Sequence, residues 1–340
     1  MKSEEHIDQA QPETVDQHFQ LILDDRDIIS PEFTKVTPSD LPKWFDESLF
    51  KKGQAFYMNN LLALGTLQTS GLLAILSVPA IMEILVFTKK SSTLCLSYKR
   101  YIQTLLYIYE LFRTDMLIPD SKWFKSLNMI RSKHAYGSKK RIEAKLHGIY
   151  QKDMAITQFG FLGYAFICPE QVGLAHATVE QMEGFHHFWR VTGHMLGIKD
   201  SINICRKTVA ETRELCRRVN DKILVKHLDE PLPDFLQLTW NAVNGLWYAD
   251  PTLNVDAFMY ITYQLSGIKY KKPLRWYAKL EVKRRQWILY LCSVPYIGWV
   301  VRKLNNIFLT GLYWMLERYP IGAWLAFGKE NSKIYLYSST

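Results

Sequence analysis

The chain has 340 residues, of which 48% are hydrophobic and 22% charged, as expected for a globular protein that buries a sizeable core. Five scattered cysteines without a C-x-x-C pair argue against a disulfide scaffold and a zinc ribbon. The net charge is +9, yet residues 1–30 carry eight acidic and two basic residues. Because no apolar stretch follows a basic start there, we expect no secretory signal peptide and interpret 1–30 as a flexible acidic tail.

Apolar residues recur at helical spacing through most of the chain, whereas alternating runs joined by tight turns are nearly absent. This pattern predicts an all-α fold, with one large helical domain over 31–267 and a basic and apolar C-terminal extension over 268–340. The predicted helices run roughly over 41–63, 67–88, 92–114, 121–136, 139–166, 178–196, 201–228, 233–248 and 253–266.

Residues 61–82 contain no charged residue and are long enough to cross a bilayer. However, Gln68, Gly71 and Pro79 interrupt the apolar run. A buried central helix of a large helical domain is therefore the favoured interpretation, and a membrane span stays open as the alternative.

The C-terminal segment begins with eight Lys or Arg and only Glu281 as an acid over residues 269–285. The apolar stretches 286–301 and 307–316 follow, rich in Trp and Tyr but short and broken by Pro295. Trp and Tyr favour the headgroup level of a bilayer, and basic residues are attracted to anionic lipid. This pattern predicts either attachment to an anionic membrane surface or a basic solvated face followed by two packed core helices.

Three histidines lie on one predicted helix. Glu183 and His186 form an E-x-x-H pair, the spacing used by carboxylate-bridged di-iron bundles. Such a site needs a second E-x-x-H, which the chain lacks, so we do not expect di-iron chemistry. His187, Arg190 and His194 then form a polar helix face with Glu183, suited to contact with an acidic cofactor group.

Two further pairs each share a helix face: Arg100 with Thr104, and Arg131 with His134. An imidazole can ligate haem iron, and guanidinium groups can pair with the haem propionates. A threonine hydroxyl can hydrogen-bond to a bound oxygen. Any helical protein contains such pairs, so their spacing alone does not identify a haem site.

Four ordered segments point further when they are taken together. They are Arg100 with Thr104; Arg131 with His134 and Ala135; Gln151–Met154 leading to Thr157 and Phe161; and Trp189–Gly193 leading to Leu196 and Gly197. Over roughly 45–230 this order resembles the catalytic domain of the rubber oxygenases (latex clearing proteins) and of the endoplasmic-reticulum-bound oxygenases of mycophenolic acid biosynthesis.

The resemblance implies a globin-like helical domain around a haem pocket, with His134 as the axial ligand of a haem b iron. Arg100, Thr104 and Arg131 would contact the cofactor. Gln103 would stand in the distal pocket, where rubber oxygenases carry a lysine. Catalysis would be assisted by Thr104 or by a carboxylate such as Glu83, the acid nearest to the place of the family's catalytic carboxylate.

The expected function is that of a haem b-dependent oxygenase, which uses O2 on a hydrophobic, isoprenoid- or lipid-like substrate. We expect an intracellular protein, attached to the endoplasmic reticulum or another membrane by the C-terminal segment, and no nucleic-acid partner. A non-catalytic haem or lipid binder at a membrane surface is the alternative, favoured by Gln103 in place of the lysine. A third interpretation is a structural, membrane-associated helical protein without a cofactor.

Overall fold

The computed structural model describes residues 6–337 and contains no β-strand there, so the predicted all-α fold is confirmed. An isolated antiparallel bridge joins Ile28 and Tyr150. The helices are α1 (Ile7–Ala10), α2 (Val15–Asp24), α3 (Glu47–Asn59), α4 (Leu61–Leu76), α5 (Pro79–Thr88), α6 (Leu94–Arg113), α7 (Lys122–Glu143), α8 (Gln151–Ile167), α9 (Val179–Leu196), α10 (Val209–Val219), α11 (Val225–Asp229), α12 (Pro233–Trp247), α13 (Val255–Leu265), α14 (Trp276–Ser293), α15 (Ile297–Arg318) and α16 (Ile321–Phe327).

The chain folds into two compact units, each built from separate stretches of sequence. Unit 1 comprises Met1–Met58, Tyr109–Ile167 and Ala177–Val219, and unit 2 comprises Asn59–Ile108, Cys168–His176 and Asn220–Thr340. This organisation differs from the expected series of tail, helical domain and C-terminal extension.

Unit 1 is centred on α8 and α9, which pack against each other and against α10. Thr178 and Gln181 form a capping box that starts α9, and Gly197 ends it with a φ of 89°, a conformation that glycine adopts without a steric penalty. A buried aromatic cluster fills the core, where the ring of Phe112 stacks on Tyr57 at 3.7 Å and on Phe188 at 3.9 Å. This packing fixes the position of α9 and of the histidines that it carries.

The N-terminal residues are the clearest difference from expectation in unit 1. Residues 6–30 were expected to be flexible, but they form α1 and α2, and α2 buries His18 and Ile22. The fully buried guanidinium of Arg206 donates hydrogen bonds to the carbonyl oxygens of Pro12 and Glu13, both at 3.1 Å. The acidic segment is therefore an integral part of unit 1 and not a tail.

Unit 2 is built around α4, which packs against α12, α13 and α15. Twelve of its sixteen residues are buried, as predicted for a central helix. The predicted helix over 67–88 is broken, because Pro79 lacks an N–H donor and begins α5 at 93° to α4. Among the described residues, no single helix is long and apolar enough to cross a membrane, although the bent pair α4 and α5 passes that test when the two are combined.

The C-terminal segment also belongs to unit 2. Helix α14 packs against α13, and α15 packs against α4 and α14. The buried guanidinium of Arg285 donates to the hydroxyl of Thr66 at 3.1 Å and lies over the ring of Phe258 at 4.7 Å. Residues 268–337 are thus not an extension that could be removed without disturbing the packing of α4.

Candidate functional site

The proposed axial ligand, His134, lies near the middle of α7 in unit 1. Ser121 is the N-cap of α7, and its hydroxyl accepts a hydrogen bond from the N–H of Trp123 at 3.1 Å. The sequence predicted that this helix ends near Gly137, but it continues to Glu143. The His134 side chain is half-buried, so a metal ion could reach its imidazole without the unfolding of α7.

Arg131 lies one turn before His134, and its guanidinium has partners within unit 1. It donates to the carbonyl oxygen of Met195 at 2.8 Å and to that of Thr34 at 3.3 and 3.4 Å. Met195 is in the last turn of α9, where a cation stabilises the negative end of the helix dipole. Burial lowers the pKa of Arg131. In this arrangement Arg131 caps α9, and three of its five N–H groups donate to protein carbonyl oxygens.

The segment around Arg100 lies on α6, in the part that belongs to unit 2. The Arg100 guanidinium donates to the hydroxyl oxygens of Thr88 at 3.2 Å and Ser91 at 3.4 Å, and burial lowers its pKa. The Thr104 side chain is exposed, and its hydroxyl donates to the carbonyl oxygen of Arg100 at 3.0 Å. Both residues therefore make local contacts that stabilise α6 and its approach to α5.

Gln103 lies beside a strap formed by residues 331–336, which crosses α6 in unit 2. Its amide donates to the carbonyl oxygen of Tyr335 at 2.7 Å, and the Tyr107 hydroxyl donates to that of Leu336 at 2.7 Å. Gln103 also lines an open cleft of about 220 Å³, together with Lys99, Lys333, Ile334 and Tyr335. Glu83 is exposed on α5 of the same unit.

The histidines of α9 are held by protein groups in unit 1. His186 is buried and makes a hydrogen bond of 2.9 Å with the hydroxyl of Thr212, and burial lowers its pKa to about 3. The Nε2 atom of His187 accepts from the N–H of Asp46 at 3.0 Å, and burial lowers its pKa to about 4. Both imidazoles are therefore neutral at physiological pH and serve as packing groups.

The polar face predicted for α9 is only partly real. His194 pairs with Asp200 at 2.7 Å, and Arg190 forms a close ion pair with Asp8 of α1. Glu183, by contrast, is exposed while its E-x-x-H partner is buried, so the two do not face a common site. Within residues 6–337 no group of three or more His, Cys, Asp or Glu is arranged to hold a metal ion, a criterion that a haem with a single histidine ligand does not need to meet.

The sequence pattern does not reveal Arg206, whose buried charge holds the N-terminal helices. Arg206 is fully buried, and its Nη1 lies 2.8 Å from Nδ1 of His18, while its Nε donates to Glu211 at 2.9 Å. Burial, and then the charge of Arg206, lower the pKa of His18 to about 3. No local pattern announces this cluster, because Arg206 and His18 are 188 residues apart.

The donor set fits a haem at the iron and not at the propionates. His134 supplies an imidazole of the type that ligates haem iron, on a rigid helix and partly accessible. The guanidinium donors of Arg131 and Arg100 are directed to carbonyl and hydroxyl oxygens of the protein. Propionate pairing would use the N–H groups of these arginines that the protein bonds leave over, or would replace those bonds.

Comparison with known proteins gives a likeness of fold. No protein-family model matches the chain, and no curated protein matches it in sequence. Among solved structures, the chain is similar to latex clearing protein LCP in the closed state, with a TM-score of 0.59 and 18% sequence identity. The match covers 79% of this chain and 76% of that one. This identity is low, and the likeness establishes a shared all-α fold.

Proposed function

We propose that the protein is an oxygenase of the haem-dependent type, with His134 as the ligand that holds the iron. The observation that carries the proposal is the fold likeness to latex clearing protein over most of both chains. The four ordered sequence segments that resemble the rubber oxygenases support it independently, because they are a feature of the sequence and not of the fold. A bound haem b would supply O2 activation, which no amino-acid side chain provides.

The chain's own residues have distinct tasks in this proposal. His134 holds the cofactor, and Arg131 positions His134 by tying α7 to the last turn of α9 through Met195. On α6, Arg100 fixes the helix against Thr88 and presents Thr104 and Gln103 on the next turn. Arg131 remains the proposed cofactor contact in the unit that holds His134, whereas Arg100 and Thr104 belong to unit 2 and stay cofactor contacts predicted from the sequence.

The proposed substrate is a hydrophobic small molecule of isoprenoid or lipid type. The cleft beside Gln103 holds about 220 Å³, below the range of roughly 300–1,000 Å³ typical of ligand pockets, and its wall includes Lys99 and Lys333. The strap over 331–336 forms one side of this cleft. Because the cleft is small, a substrate of ordinary size would fit in it only if the strap moved away from α6.

A non-catalytic haem or lipid binder is the second candidate. It is favoured by the exposed position of Glu83, since a catalytic carboxylate that acts as an acid or base in an apolar pocket is normally desolvated. Consumption of O2 in the presence of alkenes such as squalene or oligo-isoprenes distinguishes this binder from an oxygenase, because only the oxygenase converts the alkene.

The deciding experiment is the visible spectrum of the protein produced with haem, for the wild type and four alanine variants. We expect a Soret band in the wild type and its loss in His134→Ala, since the iron–imidazole bond is the main anchor. His187→Ala and His194→Ala are matched controls on another helix and should retain haem. Arg100→Ala should weaken retention by about 10- to 100-fold without erasing it, as loss of an outer contact does at metal sites.

Circular dichroism must show that His134→Ala keeps its helices, because haem loss through unfolding would give the same spectrum. A folded His134→Ala variant with a normal histidine-ligated haem would refute the site. A wild type that takes up no haem would refute the haem-dependent function itself.

A further inference from the structure

Helices α14 and α15 of unit 2 expose apolar side chains in a regular pattern. On α14 the exposed positions Trp276, Leu280, Lys283, Trp287 and Tyr290 are spaced alternately by four and three residues, which places them on one helix face. Four of these five exposed residues are apolar, although the exposed side of a helix in a globular protein usually carries polar residues.

Helix α15 repeats this pattern with the same spacing. Val300, Leu304, Ile307, Gly311 and Trp314 lie on one exposed face, which Phe308 extends with a side chain that is 68% exposed. A face of this length covers about four helical turns, or roughly 20 Å. An apolar surface of this extent on a folded chain marks an interaction site.

Two polar residues of α15, Arg302 and Asn306, contact the rest of unit 2. Arg302 donates a close hydrogen bond to the carbonyl oxygen of Cys292 at the end of α14. Asn306 accepts from the N–H of Leu61 at 3.1 Å, and this contact satisfies the start of α4. Helix α15 thus uses Arg302 and Asn306 for packing, while large apolar side chains are directed outward.

The turn between the two helices continues the apolar surface. Tyr296 has a φ of 62° and is 93% exposed, and Ile297 and Trp299 beside it are also exposed. Basic side chains adjoin the rings along α15: Lys303 lies 4.9 Å from the ring of Trp299, and Arg318 lies 5.5 Å from that of Trp314. Lys and Arg with exposed Trp and Tyr form the combination found at the headgroup level of bilayers.

Charge decides between the possible occupants of this surface. Residues 269–333 contain thirteen Lys or Arg and three Glu, and one of these acids, Glu281, is buried against Arg284. A second copy of the chain would bring like charges together, and protein interfaces are depleted in lysine. An anionic lipid surface offers the opposite charge, at about 1 kcal/mol for each basic residue near it.

We propose that the exposed faces of α14 and α15, with the turn at Tyr296, bind the interface of an anionic lipid bilayer. The apolar faces enter the headgroup region, Trp and Tyr lie at its polar boundary, and Lys279, Lys283 and Lys303 pair with lipid phosphates. Because the apolar residues lie on one side and the polar side is held by unit 2, the helices lie along the membrane plane. The inference concerns unit 2 alone and does not depend on haem binding.

The test is flotation of the full chain with vesicles of phosphatidylcholine and phosphatidylserine, and with vesicles of phosphatidylcholine alone. The wild type should bind the anionic vesicles more tightly, and binding should weaken as salt rises. The double variant Ile307→Glu/Phe308→Glu should lower the lipid partition at least about tenfold, since it removes two inserted apolar side chains. The variant Ile118→Glu/Val179→Glu, at exposed apolar positions of unit 1, is the matched control and should bind like the wild type.

A second variant separates charge from insertion. Lys279→Gln/Lys283→Gln should weaken binding to anionic vesicles by roughly fivefold or more for each charge, with little effect on neutral ones. Equal binding of the wild type to both vesicle types would refute the proposal, as would a normal partition of Ile307→Glu/Phe308→Glu. A lipid-free dimer that this variant converts to a monomer, as measured by light scattering, would assign the face to a second copy and likewise overturn the proposal.

Discussion

Unit 1 and the α14–α15 region of unit 2 treat polar and apolar side chains in opposite ways. In unit 1, Arg206 is fully buried and pairs with His18 and Glu211, and Arg190 is buried against Asp8. In α14 and α15, large apolar side chains face outward while Arg302 and Asn306 of α15 are used for packing.

This difference helps to tell residues that stabilise the fold from residues that are available to a partner. A buried charge is costly unless it is paired and hydrogen-bonded, so a satisfied pair such as Arg206 and Glu211 is explained by the fold itself. The same holds for His186 and His187, whose imidazoles have partners inside unit 1. The exposed apolar faces of unit 2 have no such internal explanation, and they therefore indicate an external partner.

The largest effect on stability is expected from removal of the buried charge of Arg206. Arg206→Ala deletes the donor that serves His18, Pro12, Glu13 and Glu211, and should lower the free energy of unfolding by about 3–5 kcal/mol. Urea unfolding followed by circular dichroism measures the loss. Arg218→Ala is the control, because this partly exposed arginine pairs with exposed Asp16 and should cost less than about 1 kcal/mol. Equal effects for the two variants would show that burial does not set the value of these pairs.

The second test uses pH. Burial lowers the pKa of His186 to about 3 and that of His187 to about 4, whereas an unfolded histidine titrates near 6.5. Between these values the unfolded chain binds more protons, so the stability is fully present above pH 6.5 and is lost as the pH falls toward 4. Each histidine should cost about 2 kcal/mol between pH 7 and pH 5. His186→Gln should reduce this pH dependence in urea unfolding, and an unchanged dependence would contradict the buried, neutral state of His186.

A third test addresses the helix crossing that positions α9. A Cβ atom on Gly53 would lie 2.3 Å from the carbonyl oxygen of Gly184, so Gly53→Ala should separate α3 from α9. We expect a net loss of about 1–2 kcal/mol, since overpacking outweighs the better helix propensity of alanine. Gly65→Ala on α4 is the control, because its Cβ would meet nothing within 4 Å. This control should raise the melting temperature slightly, and a loss of stability there would argue against the open space beside α4.

The smallest effect on stability is expected at the exposed apolar residues of α15. Ile307 and Phe308 are exposed, so Ile307→Ser and Phe308→Ser should each change the free energy of unfolding by no more than about 0.5 kcal/mol in the absence of lipid. Thermal and urea unfolding of the two variants check this expectation. A loss above about 2 kcal/mol would mean that these side chains are part of a core and not of an exposed face.

The sequence predicted the elements whose signals are local. The helices expected over 178–196 and 233–248 are found as Val179–Leu196 and Pro233–Trp247, because capping residues and prolines mark their ends. The break between α7 and α8 was misplaced, since α7 continues past Gly137 and ends at Glu143. Residues in long-range contact could not be predicted in this way, and α1 and α2 were missed because their anchors, such as Arg206, lie far along the chain.

The candidate site was predictable only as a set of residue types. Helical spacing correctly placed Arg131 and His134 on one helix, and Arg100 and Thr104 on another. It could not show that Arg131 donates to Met195 or that Thr104 faces solvent, because both depend on which face each helix buries. The role of His134 as an iron ligand remains a prediction.

The buried contacts of the N-terminal helices also bear on how the chain folds. Gln11 donates to the carbonyl oxygens of Asn203 and Cys205, more than 190 residues away in sequence. Such contacts require a long loop to close, which slows folding and delays the completion of the core. During synthesis, α1 and α2 leave the ribosome long before residues 203–211 exist to receive them. Unit 1 can therefore complete its core only after residues 203–211 have been synthesised.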